Sequence, residues 1–186
     1  NDYFAAADNG AGYLNPGMLQ EPREISGLPS GLNTWAEHCK KYYKTWDITI
    51  TGFVIDGYAP GLNKDGLNCY ESFSPNGIVP QKSDISRLHG NMPVLRSVWD
   101  IQEDDTKQAV ANILAQVKKR PMIPFHWFRS ILKTPTWYVD VVNELNTQNP
   151  KIELLDAPTF FELYRIWLRQ TPEAANGKIK EIRNTP

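Results

Sequence analysis

Four stretches of strand-like composition each run into a polar or ionisable side chain. Ile48–Ile55 leads to Asp56, Val94–Trp99 to Asp100, Met122–Phe128 carries His126 and leads to Arg129, and Ile152–Leu155 leads to Asp156. A carboxylate so placed can act as general base, nucleophile or acceptor for a hydroxyl, and an imidazole can act as general acid. In sheets wound with helices, ligands sit outside the carboxyl ends of the strands, where the strand-to-helix loops gather. The row therefore predicts a cleft, without naming a reaction.

Each member also has a plainer reading. Asp56 is followed by Gly57 and Tyr58, and it is either a chemical carboxylate beside an aromatic ring or a cap for loop amides. Asp100 opens the acidic run Asp100-Ile-Gln-Glu-Asp-Asp105, where negative charge before a helix is favoured by its dipole. Asp104 and Asp105 are read as caps only. His126 is either a general acid or a hydrogen-bonded core histidine, and Arg129 either holds a carboxylate or orients Asp56. Asp156, ahead of Ala157-Pro158, is a substrate contact or an N-cap. Glu71, in Cys69-Tyr-Glu-Ser-Phe73, is a second-choice carboxylate. The aromatic residues Tyr13, Tyr58, Trp99, Trp127 and Phe128 fall at predicted strand ends or in the following loops. Rings beside carboxylates suit a sugar, which presents C–H faces and hydroxyl edges, although aromatic rings also pack cores.

Positioning these residues requires alternating strands and helices. A helix from Asn33 carries Trp35, Cys39, Tyr42, Tyr43 and Trp46 at helical spacing. Asp104 and Asp105 cap a second, with Val110, Ile113, Leu114 and Val117 on one face, stopped by Pro121. Thr134 and Pro135 start a third, directing Tyr138, Val141, Val142 and Leu145 inward. The last follows Pro158 and presents Phe160, Leu163, Tyr164, Trp167 and Leu168. Residues 8–32 and 57–93 are rich in Gly, Pro and Asn and read as long loops. About five alternations predict an α/β fold: a mainly parallel sheet with flanking helices, as an open sheet or a partial (β/α) barrel. Pro124 argues for an edge or a bulge in its strand. Residues 1–170 read as one α/β domain and 171–186 as a polar tail.

Composition narrows the function classes. Hydrophobic residues make up 41% and charged residues 22%, as in a globular protein with one substantial core. With 20 basic and 21 acidic side chains, and no basic run longer than Lys118-Lys119-Arg120, there is no electrostatic footprint for nucleic acid. No stretch approaches the ~18 apolar residues of a membrane span. The two cysteines, Cys39 and Cys69, match neither a disulfide framework nor a zinc spacing, and Cys39 reads as a buried free thiol. His38, His89 and His126 form no ligand pair, so neither a metal nor any other cofactor is expected, with a site built from strand-end Asp and His as the one alternative. The chain opens without Met inside the strand-like Tyr3–Ala7, and so reads as a piece of a longer protein.

The stretch Gly10-Ala-Gly-Tyr-Leu-Asn-Pro16 resembles the signature of the GxGYxYP family, common in polysaccharide-degrading gut bacteria. Gly10, Gly12, Tyr13 and Pro16 match, and Asn15 stands where the second tyrosine belongs. Ser74-Pro-Asn-Gly-Ile-Val79, Arg120-Pro121 and Ala157-Pro-Thr-Phe-Phe-Glu-Leu163 also resemble that family's C-terminal domain. The resemblance implies an exported protein with an N-terminal domain as partner, and glycoside hydrolysis, assigned to the family from its company with sugar-processing domains. On that reading Asp56 is one carboxylate and Asp100 or Glu71 the other, with His126 and Arg129 in support. Tyr13, Tyr58 and Trp99 then line the subsites for a glycan, and Asp156 adds a contact. The alternative is a non-catalytic carbohydrate-binding or scaffold domain of a glycan-degrading protein.

Overall fold

The computed structural model describes residues 4–7, 11–23, 25–56, 60–82 and 87–175. The fold is mixed α/β with a mainly parallel, open sheet flanked by helices. Its contacts divide it into two compact units: the residues up to Arg96 together with those from Ala157, and Ser97–Asp156. The sequence pattern reads 1–170 as one α/β domain.

The first unit is built on a four-stranded sheet of β1 (Ile50–Val54), β2 (Gly77–Pro80), β3 (Arg87–His89) and β4 (Met92–Val94), in the order β1-β2-β4-β3. β1, β2 and β4 are parallel, and β3 joins β4 as an antiparallel hairpin. Beyond β1, Ala6 forms a single parallel bridge to Thr51, where a strand over Tyr3–Ala7 was expected. β1, β2 and β4 are buried almost throughout, as parallel strands covered on both faces must be. One face is covered by α1 (Leu32–Thr45) and α2 (Lys64–Phe73). Trp35, Cys39 and Tyr43 of α1 and Leu67, Tyr70 and Phe73 of α2 meet Val54, Ile78, Met92 and Val94 in one apolar cluster. Trp35 packs edge-on to Tyr70 and Phe73, with ring centroids 5.0 and 5.3 Å apart.

Alternation along β2 turns Gly77 to the other face from Ile78. There a Cβ on Gly77 would come within 2.4 Å of the Phe161 ring. Phe161 belongs to a helix that returns to this unit, Ala157–Gln170, whose Tyr164 hydroxyl donates to the Val94 carbonyl at 3.1 Å.

The second unit is a βαβ arrangement: β5 (Ser97–Ile101), α3 (Thr106–Lys118) and β6 (Trp127–Ser130), followed by α4 (Pro135–Gln148). β5 and β6 are parallel. Ile101, Val110, Ile113, Trp137, Val141 and Leu145 form its core. Asp105 caps α3 by accepting from Gln108 N at 2.7 Å, and Thr134 caps α4 by accepting from Trp137 N at 3.2 Å, as the cap signatures predicted. The returning helix is α5, and a final turn, α6 (Pro172–Ala175), follows it with Ala174 buried. The polar tail predicted from 171 thus starts with an ordered turn.

Several boundaries differ from expectation, for local reasons. The region 57–93 holds α2 and three strands in place of a long loop. Asn63 caps α2 by accepting from Gly66 N at 2.9 Å, and Gly66 sits in the helix because Gln20 Oε1 would lie 2.7 Å from a Cβ there. The strand expected over 94–99 is two strands, β4 and β5, separated by Leu95 and Arg96. The strand expected over 122–128 starts only at Trp127, clear of Pro124, which has no N–H for a ladder. Residues 151–155 form no strand. Tyr42 on α1 and Trp46 just past its end are exposed, and on α4 the buried aromatic residue is Trp137 while Tyr138 is exposed. On α5, Leu163 is exposed and Phe161 takes the buried place.

Candidate functional site

Asp56 follows β1 as expected, but its carboxylate is turned into the fold and is only 1% exposed. Its Oδ1 accepts from the backbone N–H of Gln81 at 2.9 Å and of Lys82 at 2.7 Å, so it fixes the chain leaving β2. Burial raises its pKa above the usual carboxylate value, opposed by those same N–H groups. Tyr58, the ring expected beside it, lies outside the described residues.

Glu71 sits on α2, not in a loop. Its Oε1 accepts from Asn91 N at 3.1 Å at the β3–β4 turn. Gly90 makes that turn with φ +56°, and a Cβ there would stand 2.0 Å from Glu71 Oε1. His89, the last residue of β3, shares a 2.8 Å hydrogen bond between Nε2 and Asn68 Oδ1, and burial lowers its pKa.

Asp100 and Arg129 are brought together. They face each other in register across β5 and β6. The guanidinium grips the carboxylate with two parallel bonds, Nε to Oδ1 at 2.9 Å and Nη2 to Oδ2. Asp100 therefore lies within a strand, not after one, and Arg129 serves Asp100. Trp99, one residue earlier, is half exposed. His126 precedes β6. Its Nδ1 is buried without a hydrogen-bond partner, and burial, then the nearby Arg120 charge, lowers its pKa to about 4. A neutral imidazole is the form such a pocket favours, and a proton donor at neutral pH is not. Asp156 is exposed immediately before α5.

The Gly-rich motif is partly described. Gly12 has φ +69°, open to glycine at no steric cost, and Tyr13 after it is 85% exposed. Asn15 Oδ1 accepts from Gly17 N at 3.2 Å and caps the 3-10 turn Pro16–Leu19. Asn15 and Pro16 thus act as turn residues, and Gly10 lies outside the described residues. Gln20, buried just after that turn, donates to Gly61 O at 3.1 Å and accepts from Asn63 N at 2.7 Å, pinning the motif's loop to the start of α2.

The structure also shows a groove that the sequence reading did not mark. It holds about 560 Å³ along α1 and α2, and its lining includes Asn33, Asp65, Asn68 and Ser72. The only sequence signal for it was the polar spacing on a helix hidden in a Gly/Asn-rich stretch. Among the described residues no group of three His, Cys, Asp or Glu could hold a metal ion, and no helix is long and apolar enough to cross a membrane. Neither cysteine is in a disulfide: Cys39 is fully buried, its pKa raised to about 12 chiefly by burial, and Cys69 is partly buried. Comparisons with protein-family models, with curated proteins and with solved structures find no match to this chain.

Proposed function

We propose that this is a carbohydrate-binding domain of a glycan-degrading protein, one that holds a sugar chain without cutting it. The observation that carries the reading is the division between acids and rings. Asp56, Glu71 and Asp100 are each committed to a contact that shapes the fold: a loop, a hairpin turn and a cross-strand arginine. Tyr13 and Trp99 are turned out to solvent. A glycosidase needs two carboxyls facing an open cleft, roughly 5 Å apart for retention and roughly 6.5–9.5 Å for inversion, with one left free to donate. A binding domain needs rings and hydroxyl partners only. The resemblance to the GxGYxYP signature supports the same ligand class, and export and an N-terminal partner domain belong with it.

Hydrolysis keeps one supporting feature, the raised pKa of Asp56, which is what a general acid requires. The two readings separate in one assay. The chain is incubated with cellulose, xylan and chitin, and retained protein and released reducing ends are measured together. Retention without release is expected. Release that disappears in Asp56→Asn would establish the hydrolase instead.

A further inference from the structure

We propose that a sugar also binds in the groove between α1 and α2, a subsite whose lining includes neither Tyr13 nor Trp99, and this placement rests on the carbohydrate reading above. α1 leads directly into β1 through the 2.8 Å bond from Ile48 N to Tyr43 O, and α2 follows β1 and ends where Gly77 pairs with Ile50. Both helices therefore begin at the carboxyl end of β1, the side on which wound sheets hold ligands. The groove's volume of about 560 Å³ is that of a ligand site for a small molecule.

Its walls and floor differ in chemistry. Leu32, Ala36 and Cys69 give an apolar floor, and Asn33, Asp65 and Asn68 stand among the polar walls. An apolar strip between amides and carboxylates matches a pyranose, whose C–H face is apolar and whose rim carries hydroxyls that donate and accept. Two of these wall groups are unspent. The Asn33 amide and the Asp65 carboxylate make no side-chain hydrogen bond to a described residue. In addition, Gly31 gives α1 no side-chain cap, so N–H groups of its first turn remain as donors at the same end. The charges select further. Among the described residues the lining has one cation, Lys40, paired with Glu37 at 2.7 Å, while Glu21 accepts only the backbone N–H of Ser30, at 2.9 Å. With Glu21 and Asp65 left over, a uronic or sulfated chain would be repelled, and an uncharged oligosaccharide is the ligand class.

The test uses the chain with cellotetraose, xylotetraose, N-acetylchitotetraose and tetragalacturonic acid, with affinity measured by calorimetry. At least one neutral tetramer should bind, and Asn33→Ala combined with Asp65→Ala should weaken it by about tenfold or more. If the double variant fails to fold, side-chain amide shifts of Asn33 and Asn68 in the wild-type chain replace it, and they should move on titration. Neutral sugar bound with unchanged affinity in a folded double variant, or with unmoved Asn33 and Asn68 amides, overturns the groove while leaving a sugar-binding domain. Tetragalacturonic acid bound as tightly as the neutral tetramers also overturns it. No binding of any tetramer removes the carbohydrate reading itself.

Discussion

A carboxylate that accepts two backbone N–H groups does structural work whether or not it is charged. Asp56 is such a group, and its folded pKa lies above its unfolded one because burial outweighs the two bonds. A raised carboxyl pKa favours the protonated fold, so the stability it contributes is present below the unfolded value and is lost as pH rises through the folded one. Asp56→Asn keeps an oxygen for Gln81 and Lys82 and removes the ionisation. It should melt at or above the wild-type temperature at pH 7 and lose the Asp56 part of the pH dependence. Asp56→Ala removes the carboxylate acceptor of Lys82 N, while Gln81 N keeps the Val54 carbonyl at 3.2 Å, and should cost about 2 kcal/mol. Thermal melts from pH 3 to 7 measure both. The Asp100–Arg129 pair is read by a different experiment. Its side chains are 32% and 27% exposed, which places a bidentate pair between a surface bridge and a buried one. A double-mutant cycle of Asp100→Asn and Arg129→Met in urea should give a coupling of about 1–2 kcal/mol. A value near zero would leave Asp100 free for chemistry.

At the scale of elements, the sharpest constraint is the contact between β2 and α5. Gly77 has φ +153°, and the Phe161 ring occupies the place of its Cβ. Gly77→Ala should lose about 2–3 kcal/mol through overpacking, and Phe161→Leu in the same chain should recover part of it. Unfolding in urea measures this, and additive losses would show that the ring is not the cause. Some of these elements could be read from sequence because their signals are local. Asp105 with Gln108, and Thr134 with Pro135, mark helix starts within three residues, and Pro121 marks a stop. Others depended on contacts far along the chain. α2 carries Gly66 in its first turn because Gln20, more than forty residues earlier, packs there. The inward face differs from the spacing by one residue on α4, where Trp137 takes the place of Tyr138, and by two on α5, where Phe161 takes that of Leu163. Spacing alone cannot choose between neighbouring apolar residues at the edge of a helical face. The strand-end row likewise left the pairing of its members open: Arg129 took Asp100 across β5 and β6, a pairing that register decides and composition does not.

Across the whole molecule, two titrating groups act in opposite directions on acidification, one in each unit: Asp56, buried, and His126, half-buried. His126 has a folded pKa lowered from 6.5 to about 4. A lowered histidine pKa means the unfolded chain takes up the proton first. The stability it contributes is therefore present above pH 6.5 and is lost as pH falls towards 4. Asp56 runs the other way, since its raised pKa favours the fold as pH falls. Acidification over that range should therefore weaken the Ser97–Asp156 unit through His126 while Asp56 holds the first unit. Amide hydrogen exchange reports each unit separately, with Val79 as a fully buried marker for the first and Val110 for the second. Between pH 6.5 and 4.5, corrected for intrinsic exchange rates, protection at Val110 should fall relative to that at Val79. His126→Gln should abolish the difference on the Val110 side, because a neutral side chain cannot draw a proton into the unfolded state. Asp56→Asn should lower the relative protection at Val79 on the acid side. Parallel loss at both markers, unaltered by either substitution, would mean that neither group governs the acid limb, and that the exposed carboxylates do.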